Sequence, residues 1–435
     1  MDTLLAKLEL FNMRVGFYFS NKGLGAVDLS SFLQANPGIG GTEYIVLLVA
    51  WLLKEEYEIT LYANEPVIGV DGLQTIIVDD VKDAVRKAEE VQDVLIVKYS
   101  VSDYLEDSLH CQSVRLSIVV WVHLFANRLD LDYYNRNPNV KRIVFVGREH
   151  RDLYIDHPSI KKSCYIFNTL NTNDYNELVS AHPYHLRKPI VTYMGSLVAE
   201  KGFHYLAKMW KDIMKEVPGA ELYVIGSGQL YDRTKQTGGY GIASPEYERW
   251  FMPYLIDDKG NLFPTVHFMG HMGVEKKDIL LQTKVGVPNP KGLSETFCIT
   301  AVEMQLCGAT VAACKAPGYY DTFVNGVITN DMNALKDGII RLLKSDKPLK
   351  SFNDTIQEIN KRFSLDVIKG EWIKLLNEID ESASLPQDVH NLCYRWKWLK
   401  YFLYKVKCSC PFLWRIIPVE SVIQKTESWR NIRNL

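Results

Sequence analysis

Short apolar runs alternate along the chain with longer segments whose apolar positions recur every three or four residues. The runs Arg14–Phe19, Ile59–Tyr62, Thr75–Val78, Val94–Val97, Ile118–Val122 and Arg142–Val146 are rich in β-branched and aromatic residues and read as strands. Segments with helical spacing separate them, as over Thr42–Glu56 and Val81–Val91. Tyr44–Leu53 is apolar nearly all round, which predicts a deeply buried helix. Polar, irregular sequence at Asn168–Pro189 interrupts the alternation. A second series then follows with Ile190–Met194, Glu221–Ile225, Val266–Met269, Lys284–Val287 and Thr310–Ala313. Strand-then-helix repetition implies a parallel sheet covered on both faces. Two similar α/β halves joined near residues 170–188 is the simplest architecture.

Length and composition fit that picture. At 435 residues the chain exceeds one ordinary domain and suits two plus an appendage. Apolar content of 47% and charged content of 23% predict a sizeable core, and a net charge of −2 argues against nucleic acid as a partner of the whole protein. Eight scattered cysteines, only Cys408 and Cys410 close together, form neither a zinc pattern nor a secreted disulfide framework; reduced thiols in a cytoplasmic protein fit them. Met1–Met13 carries Asp2 and Glu9 and does not read as a signal peptide. No apolar run reaches the roughly 18 to 20 residues of a membrane span, so a soluble or surface-bound protein is expected.

The chemistry concentrates in the second half. Ile190-Val-Thr-Tyr-Met-Gly195 is a strand ending in glycine, with Lys201-Gly202 six residues on and then an amphipathic helix. Glycine permits a tight turn or a close approach to a ligand, and a lysine at a helix start can neutralise phosphate. Ile225-Gly226-Ser227-Gly228 repeats the device after the next strand. Ser294-Glu-Thr-Phe-Cys-Ile-Thr-Ala-Val-Glu303 then sets two acids eight positions apart, across a loop running into a helix. Carboxylates there can grip hydroxyl groups while the amides between them grip an anion, a combination that suits a nucleotide-sugar. Taken alone, the glutamates could be a solvated loop acid and a surface helix acid.

Taken together, these segments resemble the retaining nucleotide-sugar glycosyltransferases of family 4, which have the GT-B fold. The resemblance rests on Tyr193-Met-Gly195 with Lys201-Gly202-Phe203, on Leu222-Tyr-Val-Ile-Gly226-Ser-Gly228 and on His267-Phe-Met-Gly270. It rests most on Glu295 to Glu303, in the spacing of the family's paired glutamates, followed by Cys307-Gly308. Arg362-Phe363-Ser364 through Glu371-Trp372 looks like the family's closing helix. The resemblance covers residues 14 to 380 or so and is stronger in the second half. It implies two Rossmann-like domains facing a central cleft: an acceptor-side domain over 1–175, a donor domain over 188–365 and a crossover helix over 366–385. A basic, aromatic helical extension over 386–435 would follow.

The resemblance also implies roles. Glu303 would accept hydrogen bonds from the ribose hydroxyls, and Glu295 would face the donor sugar. Amides around Thr296, Phe297, Cys298, Ile299 and Thr300 would hold the diphosphate, with Gly195, Ser196 and Gly226 beside it and Lys201 as its cation. Gly40 and Gly41, in the turn Gly38-Ile-Gly-Gly-Thr-Glu43, would approach from the first domain, and His123, at a strand's end, would contact the transferred sugar. The implied enzyme is a hexosyltransferase that retains configuration and needs neither metal nor other cofactor. It would act on a glycan or lipid-linked acceptor in cell-surface polysaccharide assembly. Three departures stand out: Ser196 where the family has arginine, Asn168-Thr169 where it has Asn-Gly, and a long segment from Gln229 to Asn261. Lys291 is a candidate to replace the arginine. Ser196 also leaves open a catalytically silent GT-B partner protein that only binds nucleotide-sugar or glycan.

Residues 390–435 carry nine Lys/Arg, among them Arg395, Lys397, Lys400, Lys405, Lys407, Arg415, Lys425, Arg430 and Arg433, interleaved with aromatic residues. Cations with amphipathic rings suit an anionic membrane surface, which would place the protein on the inner face of the cell membrane. The alternatives are packing on the protein itself or on a second copy, as a homo-oligomer.

Overall fold

A computed structural model describes residues 13–422 except 25–26, 101–108, 112–114, 174, 232 and 420. Residues 1–12 of the acidic N-terminal segment, and Lys425, Arg430 and Arg433 of the tail, lie outside the described residues.

The first sheet contains β1 (Arg14–Phe19), β2 (Glu58–Ala63), β3 (Gln74–Ile77), β4 (Val94–Lys98), β5 (Ser117–Val122), β6 (Val140–Phe145) and β7 (Ser163–Tyr165), in the order β3-β2-β1-β4-β5-β6-β7. The second contains β8 (Ile190–Met194), β9 (Glu221–Ile225), β10 (Val266–Gly270), β11 (Val285–Gly286), β12 (Thr310–Cys314) and β13 (Gly326–Thr329), in the order β10-β9-β8-β11-β12-β13. Every pairing within them is parallel. All eleven strands read from the apolar runs occur; β7 and β13 were missed because three or four residues leave little periodic signal.

Parallel strands between helices are buried on both faces, which is why they read as continuous apolar runs rather than alternating ones. All six residues of β5 are buried. The helix Gly41–Leu53 buries every residue from Tyr44 to Ala50, as its uniformly apolar sequence requires. Strand order reverses between β1 and β4 and again between β8 and β11, and crevices open beyond the carboxyl ends at such switch points.

Two late elements return to the first sheet. On the helix Leu365–Asn377, the wholly buried Trp372 packs its ring 4.7 Å from that of Trp121 on β5. The Tyr57 hydroxyl also donates to Asn377 Oδ1 at 3.1 Å. Thr169, the departure from Asn-Gly, donates to the Phe363 carbonyl at 2.8 Å and so ties the inter-domain segment to the end of the preceding helix.

The second returning element is the tail helix Lys397–Ser409, and here the sequence reading needs correction. Lys397, Lys400 and Lys407 do not face outward for lipid headgroups but are buried in the protein. Lys397 pairs with buried Glu149, Lys400 Nζ donates to the Leu153 carbonyl at 2.8 Å, and Lys407 Nζ to that of Asp156 at 2.6 Å. The segment 149–156 offers a row of acceptors, and pairing makes burial of these ammonium groups tolerable.

His150 lies in the same seat, wholly buried against the rings of Phe125, Phe145 and Tyr154. Burial pushes its pKa down to about 3. A histidine whose folded pKa lies below its unfolded value contributes stability that is full above the unfolded pKa and is lost as pH falls toward the folded one. Between pH 7 and 5 the wild type should therefore lose about 2 kcal/mol more unfolding free energy than His150→Phe. Urea denaturation at the two pH values measures this, and equal losses would mean that His150 titrates as in the unfolded chain.

Candidate active site

A cavity of about 600 Å³ opens where the carboxyl ends of the two sheets face each other, a volume typical of small-molecule sites. The first domain lines it with Gly38, Ile39, Gly41, Thr42 and Glu43 before and at the start of the buried helix, Lys98 from the end of β4, and His123 directly after β5. The second domain contributes Gly195, Ser196 and Lys201 after β8, Gly226 after β9, Lys276 after β10, and Glu295, Thr296, Phe297, Cys298, Ile299, Thr300 and Glu303 after β11. Of the residues singled out from sequence for roles at the site, Gly40 and Lys291 are not on this lining. For Gly40 the displacement is small: it sits one position behind, capping the helix Gly41–Leu53 close to the Tyr231 ring.

The glycines have different reasons to be there. Gly226 has φ +120°, and a Cβ on it would fall 2.1 Å from the Gly195 carbonyl oxygen, so the turn itself requires glycine. No neighbour forbids a side chain at Gly195, whose nearest atom would be Tyr193 Oη at 3.4 Å. Glycine at 195 keeps the cleft wall bare.

Both signature glutamates are buried and each is held by a lysine. Lys201 Nζ lies 2.6 Å from Glu295 Oε1, which also accepts from Asn289 Nδ2 at 3.2 Å. Burial works to lower the Lys201 pKa, but the neighbouring Glu295 carboxylate outweighs it and holds the value above the ordinary one. Lys201 is thus a fixed cation with further N–H donors to spare. Lys276 Nζ lies 2.8 Å from Glu303 Oε1. Sequence reasoning missed Lys276, because Lys276-Lys277 opens a short helix and reads there as solvated charge. Lys291, the candidate for the absent arginine, is not on the lining; its ammonium stands 5.7 Å over the Tyr205 ring.

Between the glutamates the helix Ile299–Leu306 begins with its first turn on the cleft. The N–H groups of Ile299 and Thr300 have no acceptor within the helix and are suited to an anion. The Gly38–Glu43 turn closes on them: a Cβ on Gly41 would meet Ile299 Cγ2 at 3.6 Å. On the opposite wall His123 is buried, its ring 4.7 Å from Trp121 and its Nε2 without a partner among the described residues. Burial holds its pKa well below the ordinary range, so the imidazole is neutral and can exchange a hydrogen bond with a hydroxyl. The Thr296 hydroxyl donates to the His123 carbonyl at 2.5 Å across the domain boundary.

The segment after β9 adds parts that the sequence did not assign. Leu230, Tyr231 and Lys235 line the cleft, and Arg233 Nη2 donates to the Gly38 carbonyl at 2.7 Å, strapping the second domain to the glycine turn of the first. Buried Ser196 is absorbed into the base of this segment, donating to the Ser227 carbonyl at 3.3 Å. Lys98 pairs with Glu43 at 2.6 Å. No ion pair is formed by Lys235 among the described residues.

Two parallel α/β domains with a cleft between facing carboxyl ends define the GT-B class. Residues 175–359 match the family model described as "Glycosyl transferases group 1", so the second half carries a group 1 glycosyltransferase domain, and the protein is a glycosyltransferase enzyme. Solved structures share the fold. Anabaena HepE in complex with UDP is 16% identical with a TM-score of 0.60, covering 84% of this chain and 100% of that one. Sucrose-phosphate synthase from Thermosynechococcus elongatus is 16% identical at TM-score 0.60, with coverage of 84% and 99%. A glycosyltransferase from Rickettsia africae is 13% identical at TM-score 0.62, with coverage of 86% and 100%. No curated protein matches the chain in sequence.

Removing one partner of a buried ion pair strands the other charge, whereas removing both does not. Lys276→Met should lower the unfolding free energy by about 3 kcal/mol, and Lys276→Met/Glu303→Met should recover most of that loss. Denaturant titration of wild type, both single variants and the double variant measures the coupling. Additive losses would show the pair to be energetically idle.

Proposed function

We propose that the protein is a retaining hexosyltransferase of family 4. It transfers a sugar from a nucleoside-diphosphate-sugar to a glycan or lipid-linked acceptor in cell-surface polysaccharide assembly. The observation that carries this reading is the pair of lysine-held carboxylates, Glu295 and Glu303, flanking a helix start opposite a neutral His123. Glu303, oriented by Lys276, accepts from the two ribose hydroxyls. The Ile299 and Thr300 amides and Lys201 take the diphosphate. Glu295 and His123 position the sugar from opposite walls.

In the reaction the acceptor oxygen forms its bond to the anomeric carbon on the face from which the phosphate oxygen departs. The acceptor's proton passes to that leaving phosphate. Lys201 and the helix start stabilise the negative charge that builds there, while positioning across two domains lowers the remaining barrier. Lysines carry the neutralising charge in this scheme, and neither metal nor other cofactor takes part. Lys235 supplies charge that Ser196 does not. The acceptor chemistry and the acid-poor tail together favour work in the cytoplasm, on the inner face of the cell membrane. HepE was solved with UDP, and a Burkholderia vietnamiensis trehalose-phosphate synthase of 11% identity, at TM-score 0.60 and covering 85% of this chain and 98% of that one, is described as UDP-forming. Uridine diphosphate sugars are therefore the first donors to try.

A panel of nucleotide-sugars, incubated with the protein and native membrane lipid extract, should yield a nucleoside diphosphate from one donor and a glycosylated product of unchanged anomeric configuration by NMR. Absence of turnover with every donor, or inversion, would overturn the reading. Glu303→Ala should weaken donor affinity by roughly 10- to 100-fold, the worth of charge-assisted hydrogen bonds to a diol. Calorimetric titration tests this, and unchanged affinity removes the ribose role. Lys235→Gln should raise the donor KM about fivefold and reduce its dependence on salt; a KM equal to wild type would locate the missing charge elsewhere.

A further inference from the structure

The buried lysines leave the tail helix with its aromatic side outward. Lys397, Lys400 and Lys407 form one stripe seated on the first domain, while Trp398 and Phe402, four residues apart on the opposite side, are 52% and 60% exposed. Trp396 before the helix, and Phe412, Ile416 and Ile417 after it, are between 47% and 73% exposed. Rolling these rings inward would unpair Glu149 from Lys397, so their exposure is built into the packing. Six large apolar side chains exposed on one short stretch of chain mark a docking surface.

Its charge identifies the occupant. From Val389 to Val419 the chain contains no Asp or Glu, and Lys405 and Arg415 stand exposed among the apolar side chains. A two-fold contact between copies would set these cations against each other, and exposed Asp388 beside the patch is already held by Arg148 at 2.6 Å. An anionic bilayer matches both features: rings at the headgroup boundary, cations on lipid phosphate. The location matches as well. The Arg395 guanidinium lies 4.8 Å over the Phe125 ring, two residues from His123, and Leu124 between them lines the cleft while 46% exposed.

We infer that the aromatic face of residues 396–417 docks the enzyme on an anionic lipid bilayer and sets the His123 lip of the cleft beside the membrane. This sharpens the membrane part of the proposed function and depends on that function only for the acceptor that the lip would meet. Docking is driven by the exposed rings, not by the lysines that dominate the tail's sequence.

Full-length protein should sediment with phosphatidylglycerol/phosphatidylcholine vesicles and far less with phosphatidylcholine alone. Trp398→Ser/Phe402→Ser, which alters only exposed side chains, should reduce partitioning roughly tenfold while its donor hydrolysis in detergent-free buffer equals wild type. Lys405→Gln/Arg415→Gln should weaken the preference for the anionic lipid. Wild type that ignores anionic vesicles, or an aromatic variant that binds them like wild type, overturns the inference. So does light scattering in which the aromatic substitutions convert a dimer to monomer with vesicle binding unaltered, which assigns the face to a second copy. Vesicle binding that follows this pattern in a protein turning over no donor upholds the docking face and removes the catalytic reading alone.

Discussion

A charge taken out of water must meet an opposite charge or be neutralised, and this molecule meets that requirement repeatedly with lysine and glutamate. Lys98–Glu43, Lys201–Glu295 and Lys276–Glu303 line the cleft, and Lys397–Glu149 seats the tail. Each pair joins elements remote in sequence: β4 to the buried helix, the loop after β8 to the loop after β11, a helix after β10 to the helix after β11, and the tail to the first domain. The pairs therefore hold the backbone together as well as balancing charge. They also hold the two signature carboxylates in place on the cleft lining. Preorganisation of this kind lets a site act without rearranging its own dipoles.

The domain boundary is crossed by hydrogen bonds and by apolar packing, since one buried core holds Val15 and Trp121 together with Phe297 and Val302. Thr296 donates to the His123 carbonyl and Arg233 to that of Gly38, while the Glu149 amide donates to Asp321 Oδ2 at 2.9 Å. None of these hydrogen bonds involves a pair of side chains; the neutral Thr296 bond is worth about 1 kcal/mol net, and a bond made by a charged group such as the Arg233 guanidinium about 2 kcal/mol. Behind the cleft, Trp372 reaches Trp121 and Trp121 abuts His123. The position of the imidazole thus depends on a helix more than two hundred residues further along the chain.

Where structure was legible in the sequence, a local rule decided it. Continuous apolar runs mark strands buried on both faces, glycine after a strand marks a turn into the cleft, and the two glutamates announce themselves by spacing. Lys276 was missed and the burial of Lys397, Lys400 and Lys407 was not foreseen for one shared reason. Lysine is seldom buried, so the default reading places it in solvent. The stripe Lys397, Lys400, Tyr404 and Lys407 has the spacing of a packed helix face, yet its partners at 149 to 156 lie some 250 residues away and leave no local trace. Lys291 failed in the opposite sense: closeness in sequence to the signature loop did not bring it to the cleft, because it turns to the Tyr205 ring.

Ser196 and the long segment after β9 looked like two separate departures, but the structure joins them. Ser196 Oγ donates to the Ser227 carbonyl, and the next residue's amide, Leu197 N, donates to the same oxygen at 3.1 Å. Ser227 Oγ in turn accepts from the Gln229 amide at 3.1 Å and lies 2.9 Å from His271 Nε2. This latch fixes the root of the segment that carries Tyr231, Arg233 and Lys235 over the cleft. A guanidinium at position 196 would need its own counter-charge and would displace the short hydroxyl on which the latch depends. Ser196 and the strap over the cleft thus belong to one hydrogen-bonded unit. The same segment that clasps the first domain through Arg233 also brings Lys235 to the cleft lining.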